Sequence, residues 1–156
     1  PDNNSLPEMI PALVRKMSDG YDMVIASRYL GGAKSYDDDP VTALGNWMFT
    51  RMVNVLFGGR YTDSLVMFRA YKKSIVAELE MDERRRPVFE MQLCIRCAKQ
   101  GLSVAEIPAD EPKRIGGVRK MRPLYNGSTL LWQIAKEMFI KRPGRLKQRL
   151  GGLEAR

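Results

Sequence analysis

The stretch Asp19-Gly20-Tyr21-Asp22-Met23-Val24-Ile25-Ala26-Ser27-Arg28-Tyr29 decides the fold. An Asp-Gly turn signal leads into four apolar residues with no polar alternation. The run then stops at a polar Ser-Arg-Tyr. A short unbroken apolar run bounded in this way predicts a buried strand, of the kind that helices cover in layered sheets. Upstream, Met9, Ile10, Leu13, Val14 and Met17 recur at helical spacing. Ser5-Leu6-Pro7-Glu8 matches a capping box, with Ser5 as N-cap and Glu8 three residues on, and Pro11 predicts an irregular first turn.

Downstream, Gly31-Gly32 opens a loop that carries Asp37-Asp38-Asp39-Pro40. A helix is predicted over 42–57, closed by Gly58-Gly59, and a strand over 66–71. A short helix over 74–79 has Ser74 as its cap, and Arg84-Arg85-Arg86-Pro87 forms a charged break. A helix over 88–99 ends on Gly101, and an alternating strand covers 102–107. A polar loop over 108–123 holds Gly116-Gly117. The last helix, 124–140, gathers Leu130, Leu131, Ile134, Ala135, Met138 and Phe139 on one face, and the basic tail 141–156 is expected to be poorly ordered. Strands that alternate with helices predict an α/β layered sheet. Three strands in 156 residues are few, which predicts part of a larger sheet.

Composition narrows the chemistry. The chain is 44% hydrophobic and 28% charged, an ordinary globular balance that excludes wholly disordered and low-complexity classes. There is no histidine, which removes Ser-His-Asp and Cys-His nucleophiles, histidine bases and the common zinc sites. Two cysteines make no disulfide framework, so a reducing, cytoplasmic compartment is the expectation. Cys94 and Cys97 share a helix face and read as buried core thiols. No apolar run approaches the ~20 residues that span a bilayer. The net charge is +8, and from Lys113 onward 12 basic residues face 2 acidic ones. A basic segment of this kind implies an anionic partner: phosphate, an anionic membrane surface or nucleic acid.

Several short motifs occur in a telling order: Asp2-Asn3-Asn4 before a helix, Ser27-Arg28-Tyr29 after a strand, and Thr62-Asp63 leading to Phe68-Arg69-Ala70-Tyr71. Phe89-Glu90 at a helix start, Glu106-Ile107-Pro108 at a strand end, and Arg114 to Lys120 around paired glycines complete the series. In this order and spacing they resemble glycosyltransferase family 2, GT-A fold, in the branch of the dolichyl-phosphate mannose synthases. The sequence departs from that pattern at Val66-Met67, where the family has Ser-Gly, and at Gly117-Val118-Arg119-Lys120, where it has Gly-x-Ser-Lys. The resemblance covers residues 1–140. It implies a GT-A sheet that is incomplete, with the N-terminal nucleotide-binding half missing: an acceptor-side half over 1–123, then an amphipathic helix and basic tail over 124–156. It implies transfer of a sugar from a nucleotide-sugar donor to an acceptor, a polyprenyl phosphate, with inversion at the anomeric carbon. A fragment of this extent is expected to be inactive alone.

Candidate site residues follow. Asp2 and Asn4 offer oxygen ligands two residues apart, on one side of an extended segment. The resemblance makes them the ligands of Mg²⁺ or Mn²⁺; otherwise they are turn residues. Arg28 follows a buried strand, where open sheets place their ligand crevice, and can clamp a phosphate or close a strand-end ion pair. Arg114, Arg119 and Lys120 flank the glycine pair and can close over a phosphate or form an ordinary basic loop. By resemblance Asp63 lies near the reacting centre, as a base toward a hydroxyl acceptor or a positioning group toward a phosphate. Asp37-Asp38-Asp39 reads as a solvated loop, and Arg69 as one half of a structural ion pair. The last helix and the cations after it suit contact with the cytoplasmic face of a membrane; equally, the apolar face of that helix packs on the body and the tail is free. The alternative is a non-catalytic basic module on an anionic surface. Nucleic acid is not expected, because the basic segment lacks interleaved aromatics.

Overall fold

In the computed structural model, which describes residues 4–81, 88–116 and 122–140, the sheet order is β2-β1-β3. The strands are β1 (Met23–Ser27), β2 (Arg69–Tyr71) and β3 (Val104–Pro108), and the helices are α1 (Ile10–Ser18), α2 (Pro40–Phe57), α3 (Lys73–Glu78), α4 (Phe89–Gln100) and α5 (Pro123–Phe139). β1 lies in the centre, antiparallel to β2 and parallel to β3, with Met23 opposite Val104 and Ser27 opposite Pro108. All five β1 residues are buried, as the unbroken apolar run predicts.

Strand geometry divides that run between two cores. Met23 and Ile25 point to the larger core, with Phe49 and Val53 of α2, Leu93, Cys94 and Cys97 of α4, and Leu130 and Ile134 of α5. Val24 and Ala26 point the other way, onto Leu13 of α1 and Ala109. The result is three layers: α1, the sheet, and the group α2, α4 and α5. α4 is buried along its whole middle, Met91 through Cys97. Both cysteines are free and buried, and burial pushes both thiols up.

The element boundaries show where local signals lose to tertiary ones. Ser5 caps nothing: residues Pro7–Met9 form a 3-10 turn with Leu6 at its N-cap, and α1 starts at Ile10. Pro11 lacks the N–H that an earlier α-helical register would need. α2 begins earlier than predicted, because Asp39 is its N-cap and accepts from the Thr42 N–H at 2.8 Å. The residue at the N-cap of α3 is Lys72, not Ser74. The strand predicted over 66–71 shrinks to Arg69–Tyr71, since the amides of Leu65 and Val66 turn onto Asp63. Gly58 (φ 75°) and Gly101 (φ 65°) end α2 and α4 in the left-handed region, where glycine alone is unstrained. The basic tail 141–156 and the charged break at 84–87 lie outside the described residues.

α5 is held by a buried ionic cluster as well as by apolar contact. Glu137, with no exposed surface, accepts from Gln92, Arg96, Lys99 and Gln133. Arg96 also donates to the Leu79 and Glu80 carbonyls, and the Lys99 ammonium lies over the Phe57 ring at the end of α2. Burial would raise the Glu137 carboxyl, but its hydrogen bonds and the nearby cations outweigh burial and hold it below the ordinary range. Removing one member of such a cluster leaves charge uncompensated in the interior. Glu137→Ala should therefore lower the unfolding free energy by about 3 kcal/mol, measured by denaturant titration. Phe139→Ser, at a side chain 87% exposed, should change it by under about 0.5 kcal/mol.

Candidate functional site at the carboxyl end of the parallel pair

The pairing of β1 with β3 brings two chain exits together. Arg28 follows β1, and the segment 109–114 follows β3. The antiparallel β2 adds a third segment at the same end, since the Phe68 carbonyl accepts from the Ala26 N–H just before the exit. This is the end where parallel sheets bind ligands.

Arg28 is the centre of the site. Its Nε donates to Asp63 Oδ2 at 2.7 Å and its Nη2 to Asp63 Oδ1 at 3.1 Å, a two-point clamp. Its Nη1 donates to Glu111 Oε2 at 3.0 Å and to Asp38 Oδ2 at 3.4 Å. Asp63 is fully buried and accepts further from Asn46 Nδ2 and from the Leu65 and Val66 amides. Burial alone would raise the Asp63 carboxyl; the Arg28 hydrogen bonds and charge overcome it and hold the group below its ordinary value. Burial pulls Arg28 down, and Asp63 more than reverses that, so its guanidinium stays charged.

The loop that bears Asp63 is pinned from β3. Glu106 accepts from the Thr62 N–H and hydroxyl and from the Asp63 N–H, and Thr62 also meets Ser27 at 2.5 Å. Burial raises the Glu106 carboxyl, with Thr62 partly opposing it. Glu111 is a second junction. Asn4 Nδ2 donates to its Oε1 at 3.0 Å, and Ser35 Oγ to its Oε2 at 2.5 Å. Asn4 is thereby tied, through one carboxylate, to Arg28.

The aspartate run is not a solvated loop; its three members do three different things. Asp37 pairs with Arg114 at 3.1 Å, Asp38 meets Arg28 and accepts from the Tyr29 hydroxyl at 2.5 Å, and Asp39 caps α2. Burial, then the bond to Asp38, pushes the Tyr29 hydroxyl up to about 12, so it stays a donor at neutral pH. Among the described residues Arg69 has no ion-pair partner. It donates to the Val66, Ser64 and Glu90 carbonyls and to Cys94 Sγ, inside the core.

The four described residues expected at the site, Asn4, Arg28, Asp63 and Arg114, thus fall in one neighbourhood. Asp2, Arg119 and Lys120 lie outside the described residues. Glu111, Asp38, Asp37, Asn46 and Glu106 had not been expected there. Among the described residues no group of three carboxylates or cysteines could hold a metal ion, because Asp38, Asp63 and Glu111 are gathered on a guanidinium. Of the two residues expected to ligate a metal, Asn4 is described, and its amide oxygen is of the kind a hard cation takes.

A cleft of about 550 Å³ opens beside Arg28. Arg28, Asp38 and Asn46 form its polar end; Val41, Met48, Phe49 and Leu65, with Leu124, Leu130 and Leu131 of α5, form its walls. Asn46 Oδ1 is buried beside it and has no protein partner among the described residues. Outside the cleft, α2 and α5 present large exposed apolar side chains, including Trp47, Leu44 and Trp132. Among the described residues no helix is long and apolar enough to cross a membrane.

Comparison with curated proteins supports the resemblance. The chain is 29% identical over 129 residues to a dolichyl-phosphate hexose transferase of Haloferax volcanii, covering 83% of this chain and 54% of that protein. It is 26% identical over 131 residues to the polyprenol monophosphomannose synthase of Mycolicibacterium smegmatis, covering 77% and 46%. It is 25% identical over 122 residues to an undecaprenyl-phosphate mannosyltransferase of Micrococcus luteus, covering 77% and 50%. The chain spans about half the length of the curated relatives it matches. No family model matches it.

The clamp sets a stability signature. Asp63 titrates lower folded than the ~3.9 of an unfolded aspartate, so its contribution is fully present above about pH 4 and is lost as pH falls through the folded value. Asp63→Asn should cost about 3 kcal/mol at pH 7, because Arg28 is left buried without its main partner. In urea titrations across pH 2 to 7, the variant's acid limb should be flatter than the wild type's.

Proposed function

We propose that this chain carries the acceptor side of a glycosyltransferase that moves a hexosyl unit from a nucleotide-sugar donor to a polyprenyl phosphate. One observation carries the reading: the cleft has the Arg28 guanidinium, beside Asp38 and Asn46, at one end, and walls that are mostly apolar, with Thr42, Asn126 and Ser128 among them. A prenyl phosphate has the same division, an anionic head on a hydrocarbon chain. The names of the relatives, each a transferase or synthase acting with a dolichyl, polyprenol or undecaprenyl compound, support the same class.

The chemistry follows from the charges. A phosphate monoester is already anionic at pH 7 and needs no base to become a nucleophile. Its oxygen attacks the anomeric carbon as the bond to the leaving diphosphate breaks, with inversion. Asp63 suits a positioning role here: its oxygens are occupied by Arg28, Asn46 and two backbone amides, and it has no path to a substrate proton. Its work is to hold Arg28 with its Nη1 edge turned to the cleft. Bound Mg²⁺ or Mn²⁺ would neutralise the leaving diphosphate. Asp2 and Asn4 are the ligands we assign to it, and the Asn4 link to Glu111, itself bonded to Arg28, supports the assignment of Asn4. Arg114, with Arg119 and Lys120, is assigned to a phosphate of acceptor or donor. The exposed apolar side chains of α2 and α5, and the basic residues from Lys113 on, support peripheral contact with an anionic membrane surface.

The test uses the whole protein that contains this chain, a panel of labelled nucleotide hexoses, undecaprenyl phosphate and Mg²⁺. Lipid-extractable label should appear with one donor and disappear with EDTA. Leu131→Glu, which puts a charge in the apolar wall, should raise KM for the lipid at least about tenfold with a smaller change in kcat. No extractable label from any donor would overturn the reading. Vesicle binding without transfer, unaffected by substitution at Arg28, would favour the non-catalytic basic module instead.

A further inference from the structure

Three carboxylates surround Arg28, and they are not equivalent. Asp63 is wholly buried and clamps the inner edge of the guanidinium at two points. Glu111 is anchored by Asn4 and Ser35, and its backbone is bonded to both Lys34 and Tyr36. Neither lines the cleft. Asp38 does. Its contact with Arg28 Nη1, at 3.4 Å, is the longest of the three, and it stands on the loop leading into α2. Three carboxylates against one guanidinium leave an excess of two negative charges. An arriving phosphate would add to that excess at Nη1, the nitrogen that meets the cleft-lining Asp38.

We infer that Asp38 is a built-in counter-ion that competes with an anionic ligand for the outer edge of Arg28, so that a phosphate head binds by displacing the Asp38 carboxylate. The inference rests on the reading of the cleft as a phosphate-ended pocket and adds the residue that sets its selectivity. The geometry supplies the means of exchange. Tyr29 packs its ring beside the guanidinium, at 5.4 Å from its carbon, and holds Asp38 Oδ2 through its hydroxyl. A carboxylate released by Arg28 therefore keeps a hydrogen-bond donor. Arg28 itself does not move, because Asp63 holds its other edge. A competing carboxylate raises the threshold for any anion. Weak anions that bring only charge are rejected, while a ligand that also fills the apolar walls has enough additional binding energy to displace it.

The experiment measures binding of two probes to this chain by calorimetry: geranyl phosphate, which has a head and a hydrocarbon tail, and inorganic phosphate, which has a head alone. Asp38→Asn keeps an oxygen for the Tyr29 hydroxyl and removes the competing charge; Asp38→Ser serves as a second variant, and thermal melts check that both fold. A double variant, Arg28→Gln with Asp63→Asn, removes the anion's partner without stranding a buried charge. The inference expects Asp38→Asn to tighten geranyl phosphate about tenfold, near 1.4 kcal/mol. It expects inorganic phosphate binding, weak in the wild type, to gain by a similar factor, and the double variant to bind neither. Geranyl phosphate bound more tightly than inorganic phosphate throughout identifies a lipid head as the source; equal binding identifies free phosphate, with the competition intact. Binding that is unchanged or weaker in both Asp38 variants, yet lost in the double variant, overturns the role of Asp38 and leaves the phosphate pocket standing. Binding that the double variant does not reduce, or no binding by any form, overturns the pocket reading and the inference with it.

Discussion

A carboxylate with no exposed surface sits at the end of this sheet, and it stays ionised chiefly because the arginine that follows β1 meets it at two points. The desolvation that would otherwise protonate Asp63 is outweighed by Arg28, and the desolvation that would weaken Arg28 is outweighed by Asp63. Each makes the other possible. Much of the local structure serves this pair. Glu106 fixes the turn that presents Asp63, Asn46 of α2 and two backbone amides fill its remaining oxygens, and Thr62 ties that turn back to Ser27. The pair in turn fixes which edge of the guanidinium is spent inside the protein and which is turned outward.

The cleft acquires its character from that asymmetry. Its polar end is the outer edge of a side chain whose inner edge is saturated, so it presents cationic donors without a mobile charge. Its walls come from helices with different tethers. α2 is fixed at its start by the Asp39 cap, and α5 near its end by the Glu137 cluster with α4. The Glu137 anchor lies beyond the lining residues of α5, while the Asp39 cap holds Thr42, which is itself part of the lining. A buried ionic cluster adds little net stability over an apolar packing, but it permits few alternative arrangements. For a wall whose placement sets the shape of a cleft, that restriction is of use.

The layered fold was legible because its signals are local. An unbroken apolar run reads as a covered strand, and helical periodicity reads as helices. The central strand and the main helices came from those two signals and β3 from its alternation, with errors confined to ends. The Ser5 capping box was overruled by prolines at 7 and 11, and the strand start at Val66 by Asp63 collecting the amides that a ladder would need. The site was legible only in part. Motif order brought out Asn4, Arg28, Asp63 and Arg114. It did not bring out Glu111, which is 83 residues from Arg28, or Asp37, which is 77 from its partner Arg114. Neither periodicity nor composition encodes contacts of that span. One signal was available: had β1 and β3 been paired in parallel, with Ser27 against Pro108, the residues just past both strands would have been neighbours, and Glu111 among them. The aspartate run misled for a related reason. Three like residues in a row suggest one shared environment, while the backbone sends each to a different partner.

The most direct measurement is the nitrogen-15 spectrum of the Arg28 guanidinium as geranyl phosphate is added. If Asp63 clamps the inner edge and the outer edge receives the anion, the Nη1 signals should shift in proportion to ligand bound, while Nε–H, on Asp63, should stay in place and remain protected from exchange. An Nε–H that moves or loses protection, or an Nη1 that does not respond while the probe binds elsewhere, would contradict the account.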